Sequence, residues 1–385
     1  MEKIKYVYLI DPFGYGTDYN ICLTKSLNKY ASQKLKFIYI TSEINNSTSF
    51  KYQVSPFFRI TQKLRQRFPK IQVMFKILGI LEYYYCYFNI IYRAKKKSGA
   101  IHTIWIKSPI VDIPLFLLMK ILNIPVYHTM HNAFPHDKES FFTRIIYLYF
   151  YRIPDKLIVL SNSEREKVCR YNNRLDQKIV CIPHGLMSEE IPCLTKSSAR
   201  GNLKIDYKGS ILLFLGLIRP YKGIFNLIEA CALLKDRGVS FRLIIAGKNN
   251  LHKADFNRFS TYVKKMDWIY YFEGYHSKLK MRDFICSSDL VVLPYSSGTQ
   301  SGISYTALRY CVPILPTSVG NLLETVPDRY KTLSPPPQDI DSLANSISAY
   351  LDISDFKSYF KDLDTLKKYH SWENIAKSHL KMIYK

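Results

Sequence analysis

The sequence predicts an α/β protein built from two doubly wound parallel sheets. Three observations carry that prediction. The chain has 385 residues, more than one ordinary core fills, which suggests two domains. Short β-branched and aromatic runs alternate with longer helical patterns in both halves. Within each run the apolar residues are nearly continuous, as in strands covered by helices on both faces.

Strands are predicted at KYVYLI, KFIYI, TIWI, PVYHT, KLIVL and KIVCIP in the first half. In the second half they are predicted at ILLFLG, RLIIAG, IYYFEG, LVVLPY and VPILPT. Strand–helix–strand repetition of this kind makes parallel sheets. A polar stretch near residues 188–209 reads as a linker. The domains are therefore expected at 1–190 and 205–365, with a last helix over 366–385. In such sheets ligands sit at the carboxyl ends of the strands, and in a two-domain protein in the crevice between the domains. The site is expected from loops of both halves.

Composition narrows the partners. The formal net charge is +24, which calls for nucleic acid, an anionic membrane or a phosphorylated substrate. The 31 tyrosines and 22 phenylalanines suit a membrane interface as well as a core. Eight cysteines without CxxC spacing read as reduced residues of a cytosolic protein. The opening MEKIKYVYLIDPFG reads as a strand ended by Asp11 and Pro12 and not as a secretion signal. The longest apolar stretch, IVDIPLFLLMKILNIPV, is interrupted by Asp112, Pro114, Lys120 and Pro125, so a spanning helix is not expected.

Four loops carry candidate chemistry. In DPFGYGTDYN, Gly14 and Gly16 stand between a strand and a helix, where backbone amides can approach an anion. Their spacing is not GxGxxG, and a plain turn is the alternative. HTMHNAFPHD (128–137) ends another strand. Its His128 and His131 would not face the same way on a strand end, which argues against a metal pair. His131, just past the strand, suits a sugar or phosphate contact, with a structural turn as the alternative. FLGLIRPYKG places Arg219 and Lys222 before a helical pattern. Cations there oppose the helix dipole unless a diphosphate lies between them and the helix amides. SSGTQSGISYTALRY (296–310) again places small polar residues between strand and helix. Thr299, Gln300, Ser301 and Gly302 would add amide and hydroxyl groups to the same cradle and neutralise a diphosphate without a metal.

A fifth feature is the basic, aromatic segment 51–97. It holds eleven Lys or Arg, one acid (Glu82) and eleven aromatics. Arg59, Lys63 and Arg67 recur every four residues, so they share a helix face. That pattern fits a helix lying on anionic lipid, or an ordinary solvated face over a core. No RNP, KH or zinc-finger pattern appears, so nucleic acid is not expected.

Taken in order, FLGLIRPYKG, LIIAGKNN, FEGY, SSDLVVLPYSSGTQSGISYTALRYCVPILPTSVGNLLE and SWENIAKSHLKMIYK resemble the GT-B glycosyltransferases of family 4. The likeness covers the second half and the last helix, and reaches the first half through the Gly14/Gly16 loop, HTMHN and IPHG. It implies two Rossmann-like domains facing a cleft, the first binding acceptor and the second a nucleotide-sugar. It also implies that the last helix crosses back to the first domain, that no metal is needed and that transfer retains configuration. By the same resemblance His131 contacts the donor sugar, Arg219 and Lys222 hold the diphosphate, and Gly274 lies where backbone meets the base. Gln300, Ser301 and Gly302 then hold phosphate and sugar. Two glutamates usual in the family are replaced by Thr299 and Ala307, and an arginine usual after the strand glycine by Leu217.

The expected reaction moves a hexose-type sugar from a UDP- or GDP-sugar to a polyprenyl-diphosphate-linked or other glycan acceptor. The setting would be bacterial capsule, O-antigen or exopolysaccharide synthesis, with the enzyme peripheral on the inner face of the cell membrane. Two alternatives are a nucleotide-sugar epimerase, which should need cleft carboxylates, and a silent scaffold binding sugar or lipid.

Overall fold

The structure is a computed structural model. It describes residues 4–15, 17–42, 60–61, 72–134, 140–187, 191–298, 300–353 and 356–384. Gly16, Arg59, Lys63, Arg67 and Thr299 therefore lie outside the described residues. The chain divides into two compact units, Met1–Gly185 with Trp372–Lys385, and Leu186–Ser371.

The first unit is built on six parallel strands: β1 (Tyr6–Asp11), β2 (Lys36–Thr41), β3 (Gly99–Thr103), β4 (Val126–Met130), β5 (Lys156–Val159) and β6 (Ile179–Cys181). Their order is β2-β1-β3-β4-β5-β6. Successive side chains point to opposite faces, so each strand feeds two cores. Tyr8 and Ile10 pack with Tyr83, Tyr87, Phe116 and Phe150, on the side of helices Gln72–Lys96, Pro109–Ile121 and Phe141–Phe150. Val7 and Leu9 pack with Leu23, Trp372, Ile375 and Ala376, on the side of helices Thr17–Tyr30 and Trp372–Met382. Both faces are dry, which is why the strand runs do not alternate.

One strand is displaced from its expected place. The run TIWI was expected to form it, yet β3 is Gly99–Thr103, all of it buried. His102 hid it, because a histidine inside an apolar run reads as a break. Its ring is instead satisfied internally, Nε2 by the Thr129 hydroxyl at 2.7 Å and Nδ1 by the Tyr384 hydroxyl at 2.5 Å. Ile104, Trp105 and Ile106 form the loop that leaves the strand.

The second unit has five parallel strands: β7 (Ser210–Leu215), β8 (Phe241–Gly247), β9 (Ile269–Glu273), β10 (Leu290–Leu293) and β11 (Ile314–Pro316). Their order is β11-β10-β7-β8-β9. Part of the stretch read as a linker is ordered: Lys196–Leu203 is a helix whose N-cap Thr195 accepts from the amide of Ser198. Its Arg200 is buried, bonding the carbonyls of Ser287 and Tyr207 and the carboxylate of Asp289. Such specific bonding of a long polar side chain leaves little trace in an apolar pattern.

Strand order reverses between β1 and β3 in the first unit and between β7 and β10 in the second. Crevices at such reversals, at the carboxyl ends of the strands, are where open α/β sheets bind ligands.

At the second reversal Gly223 locks two loops together. It has φ +68°, and a Cβ there would meet the carbonyl oxygen of Pro294 at 1.9 Å. Gly223→Ala should therefore lower the unfolding free energy by at least about 2 kcal/mol, from backbone strain plus the displaced loop. Denaturant unfolding checks this; an unchanged midpoint would show that the loops are not locked there.

Candidate functional site

In the second unit three loop regions meet at the carboxyl ends of β7, β8 and β10. The loop after β7 is tied to the one after β8: the Ile218 amide donates to Lys248 O and the Asn250 amide to Ile218 O. It is tied to the loop after β10 by the Ser296 amide, which donates to Tyr221 O at 2.7 Å. Gly216, with φ +117°, ends β7. A Cβ there would come 3.0 Å from Lys222 Nζ, so the bare glycine leaves room for the lysine to fold back over the strand end.

Lys222 is the centre of this arrangement. It is half-buried, and its Nζ lies 5.1 Å from the centroid of the Tyr295 ring. No carboxylate is paired with it among the described residues. Burial, with Arg219 close enough to repel it, pulls its pKa below the ordinary lysine value. Arg219 is exposed in the same loop, and it too lacks a carboxylate partner among the described residues.

The loop after β10 supplies the complement. Tyr295 is buried and its hydroxyl meets the Ser301 hydroxyl at 3.3 Å. Ser301 precedes helix Gly302–Arg309 but its side chain does not cap it. The first helix amides are thus left without that partner, as at helix ends that receive anions. Ile303 lies beside Gly216, which sets this helix start next to Lys222. Gln300 Nε2 is buried and has no hydrogen-bond partner in the described residues. Of the residues expected to act together, Arg219, Lys222, Gln300, Ser301 and Gly302 do converge. Gly274, with φ +113°, lies past β9 with open space beside it, next to exposed Tyr275. Lys248 reaches over that Tyr275 ring. Ala307, in place of the family's second glutamate, is fully buried in the apolar core.

In the first unit Gly14 has φ +68°, and its turn is shaped by buried Asp11. One Asp11 oxygen accepts from the amides of Phe13 and Gly14, and the other accepts from Asn20 Nδ2. His131 follows β4 and stacks on Trp105 with centroids 4.3 Å apart and rings parallel. Burial pushes its pKa down to about 3, so it is neutral near pH 7 and suited to hydrogen bonding more than to proton transfer. Both His131 Nε2 and Trp105 Nε1 are buried without hydrogen-bond partners among the described residues. Buried unpaired groups cost about 1–3 kcal/mol each and draw ligand atoms. Tyr15, exposed, meets Trp105 edge-on. His128, by contrast, is a core residue bonded to Thr103.

Sequence reasoning missed Trp105 and Tyr295. Trp105 was assigned to a strand, and only its place after the true β3 exposes its role. Tyr295 reads as the end of an apolar run, and nothing local shows that its ring faces a lysine 73 positions earlier.

The fold and these loops define a class, the GT-B glycosyltransferases. The family model Glycosyltransferase Family 4 matches residues 53–190, and that of Glycosyl transferases group 1 matches residues 195–377. Together they match well over half of the chain, which belongs to this family. Among curated relatives it is 26% identical over 229 residues to an uncharacterized glycosyltransferase of Methanocaldococcus jannaschii, covering 58% of each chain. It is 25% identical over 258 residues to a lipopolysaccharide 1,2-N-acetylglucosaminetransferase of Salmonella typhimurium, covering 64% of this chain and 63% of that one. The chain thus spans less than two thirds of the length of these relatives. In fold it is similar to Anabaena HepE solved with UDP, with TM-score 0.68 and 13% identity over 99% of both chains.

Lys222 gives a test of the site without any ligand. The folded chain binds its proton less tightly than the unfolded chain does. Stability therefore rises with pH between the lowered value and the ordinary lysine value, and below that window the full cost is present. Lys222→Met should raise the unfolding free energy at pH 7 and remove that alkaline rise. Calorimetric unfolding from pH 7 to 10 checks both, and a destabilised variant would mean that the amine has a partner within the fold.

Proposed function

We propose that the chain is a retaining, metal-independent glycosyltransferase that moves a hexose-type sugar from a UDP- or GDP-sugar to a polyprenyl-diphosphate-linked or other glycan acceptor. The observation that carries this reading is the half-buried Lys222 amine, without a carboxylate among the described residues, beside an uncapped helix start. A diphosphate supplies the missing negative charge.

In this reading the glycosidic bond to the diphosphate lengthens first, and charge builds on the leaving phosphate oxygens. Lys222, Arg219 and the amides near Ser301 and Gly302 stabilise that charge. Donors fixed in place before the reaction are worth a few kcal/mol each. The acceptor hydroxyl then attacks from the face the diphosphate leaves and passes its proton to a phosphate oxygen. No side-chain nucleophile is required. Neutral His131, held by Trp105, positions the sugar through Nε2. Gln300 Nε2 donates to an oxygen of the donor, and backbone near Gly274 and the Tyr275 ring receive the base.

The names of relatives agree with a role in bacterial surface polysaccharide synthesis. The Salmonella relative is named for lipopolysaccharide, and a solved structure of similar fold, WaaG, is described as involved in lipopolysaccharide biosynthesis. The Anabaena neighbour was solved with UDP-glucose as well. A lipid-linked acceptor would be met at the inner face of the cell membrane, where the net charge of +24 favours an anionic surface.

One observation favours a silent donor-binding scaffold. Ala307 is sealed in the core, so no carboxylate can reach a ligand from that position. Radiolabelled transfer from UDP- and GDP-hexoses to membrane-extracted lipid acceptors separates the two. Transferase activity should survive EDTA and fall about a hundredfold in Lys222→Ala. Donor binding with neither transfer nor hydrolysis would establish the scaffold, and full turnover in the variant would remove Lys222 from the mechanism.

A further inference from the structure

Among the described residues, the three helices on one side of the first sheet carry an exposed apolar face. On helix Gln72–Lys96, Ile77, Leu81, Tyr85, Phe88 and Tyr92 are all at least half exposed. Their spacing of four, four, three and four residues places them on one stripe of the helix. The opposite stripe, including Tyr83, Tyr87 and Ile90, is buried in the core. Helix Pro109–Ile121 packs beside this helix and exposes Ile110, Leu117 and Ile121. Helix Phe141–Phe150 packs beside that one and exposes Phe141, Phe142, Ile145 and Tyr149. Single exposed apolar residues are ordinary, but a dozen on three adjoining helices are not.

Charge identifies what covers this face. The two acids within the three helices are both withdrawn from it. Glu82 is buried and accepts from the amides of Ile60 and Thr61. Asp112 is fully buried and accepts from the amides of Lys107 and Ser108. The exposed charges on helix Gln72–Lys96 are cations: Lys76, Arg93, Lys95 and Lys96. Lys97 follows directly, also exposed. Apolar and aromatic residues bordered by cations, on three helices that expose no acid of their own, match the interface of an anionic bilayer. A second copy of the chain would bring the same cations against themselves. No described helix is long and apolar enough to cross a membrane, so the face can only lie on one.

We infer that this three-helix face seats the first unit in the interfacial layer of an anionic membrane, with the stripe from Ile77 to Tyr92 and the rings of Phe141 and Phe142 entering it. This rests on the membrane setting proposed above and goes further, because it makes binding partly apolar. Charge attraction is screened by salt, whereas apolar burial is not.

The test is flotation of the full chain with vesicles of phosphatidylethanolamine and phosphatidylglycerol, at 0.1 M and 1 M NaCl. The native chain should float at both concentrations. In Leu81→Glu/Tyr85→Glu/Phe142→Glu, whose substituted positions are all exposed, the partition coefficient at 1 M salt should fall by about tenfold or more. Leu279→Glu, an exposed position in the second unit, should leave it unchanged. UDP and GDP binding, measured alongside, should be unaffected in both variants, so failure of the membrane face and failure of the donor site are read separately. Complete release of the native chain at 1 M salt would overturn apolar seating and leave a purely electrostatic attachment. A native dimer in sedimentation equilibrium that the triple variant dissociates would overturn it in favour of a second copy.

Discussion

A lysine amine is held part-way into the protein with no carboxylate among the described residues to balance it, and the second unit is arranged around that imbalance. Gly216 gives up a side chain so that Lys222 can lie over the end of β7. Gly223 gives up another so that the loop can press against Pro294. Tyr295 offers its ring to the amine and its hydroxyl to Ser301. Removing a charge from water without a partner is costly, and folds keep such a charge where a ligand supplies the balance. In the proposed reading the expense falls on the free protein and is returned when a diphosphate binds.

The two units solve parallel problems with different chemistry. Both are parallel sheets whose strand order reverses once, and both gather loops at the reversal. At β7 and β10 the gathered groups are cations and a helix start that the Ser301 side chain does not cap, suited to a diphosphate. Past the ends of β1, β3 and β4 they are the rings of exposed Tyr15, Trp105 and His131, the last two with buried nitrogens that have no hydrogen-bond partner among the described residues. Such rings suit the apolar faces and hydroxyls of sugars. Burial keeps His131 uncharged near pH 7, which suits it to hydrogen bonding more than to proton transfer.

The fold was largely legible because parallel strands buried on both faces leave unbroken apolar runs. It was misread where a polar residue is satisfied inside the core. His102 broke the apparent pattern of β3, and Arg200 made an ordered helix look like a linker. The site was legible where chemistry is local: Arg219, Lys222 and the Gln300–Gly302 turn each stand between a strand and a helix. It was illegible where partners come from distant segments, as with Tyr295 against Lys222 or Trp105 against His131. The apolar helix face was hidden for a related reason. Composition showed that 51–97 is basic and aromatic, but only the helix geometry separates Tyr83 and Tyr87, which are core, from Tyr85 and Phe88, which are not. The cationic stripe Arg59, Lys63 and Arg67 lies outside the described residues.

The central claim is that Lys222 awaits a diphosphate, and titration calorimetry tests it most directly. Binding of UDP and GDP would be compared with that of uridine and guanosine, in the native chain and in Lys222→Met. The account predicts that one of the diphosphates binds far more tightly than its nucleoside, and that the advantage largely disappears in the variant. Equal binding of nucleoside and diphosphate, or an advantage that survives loss of the amine, would contradict it.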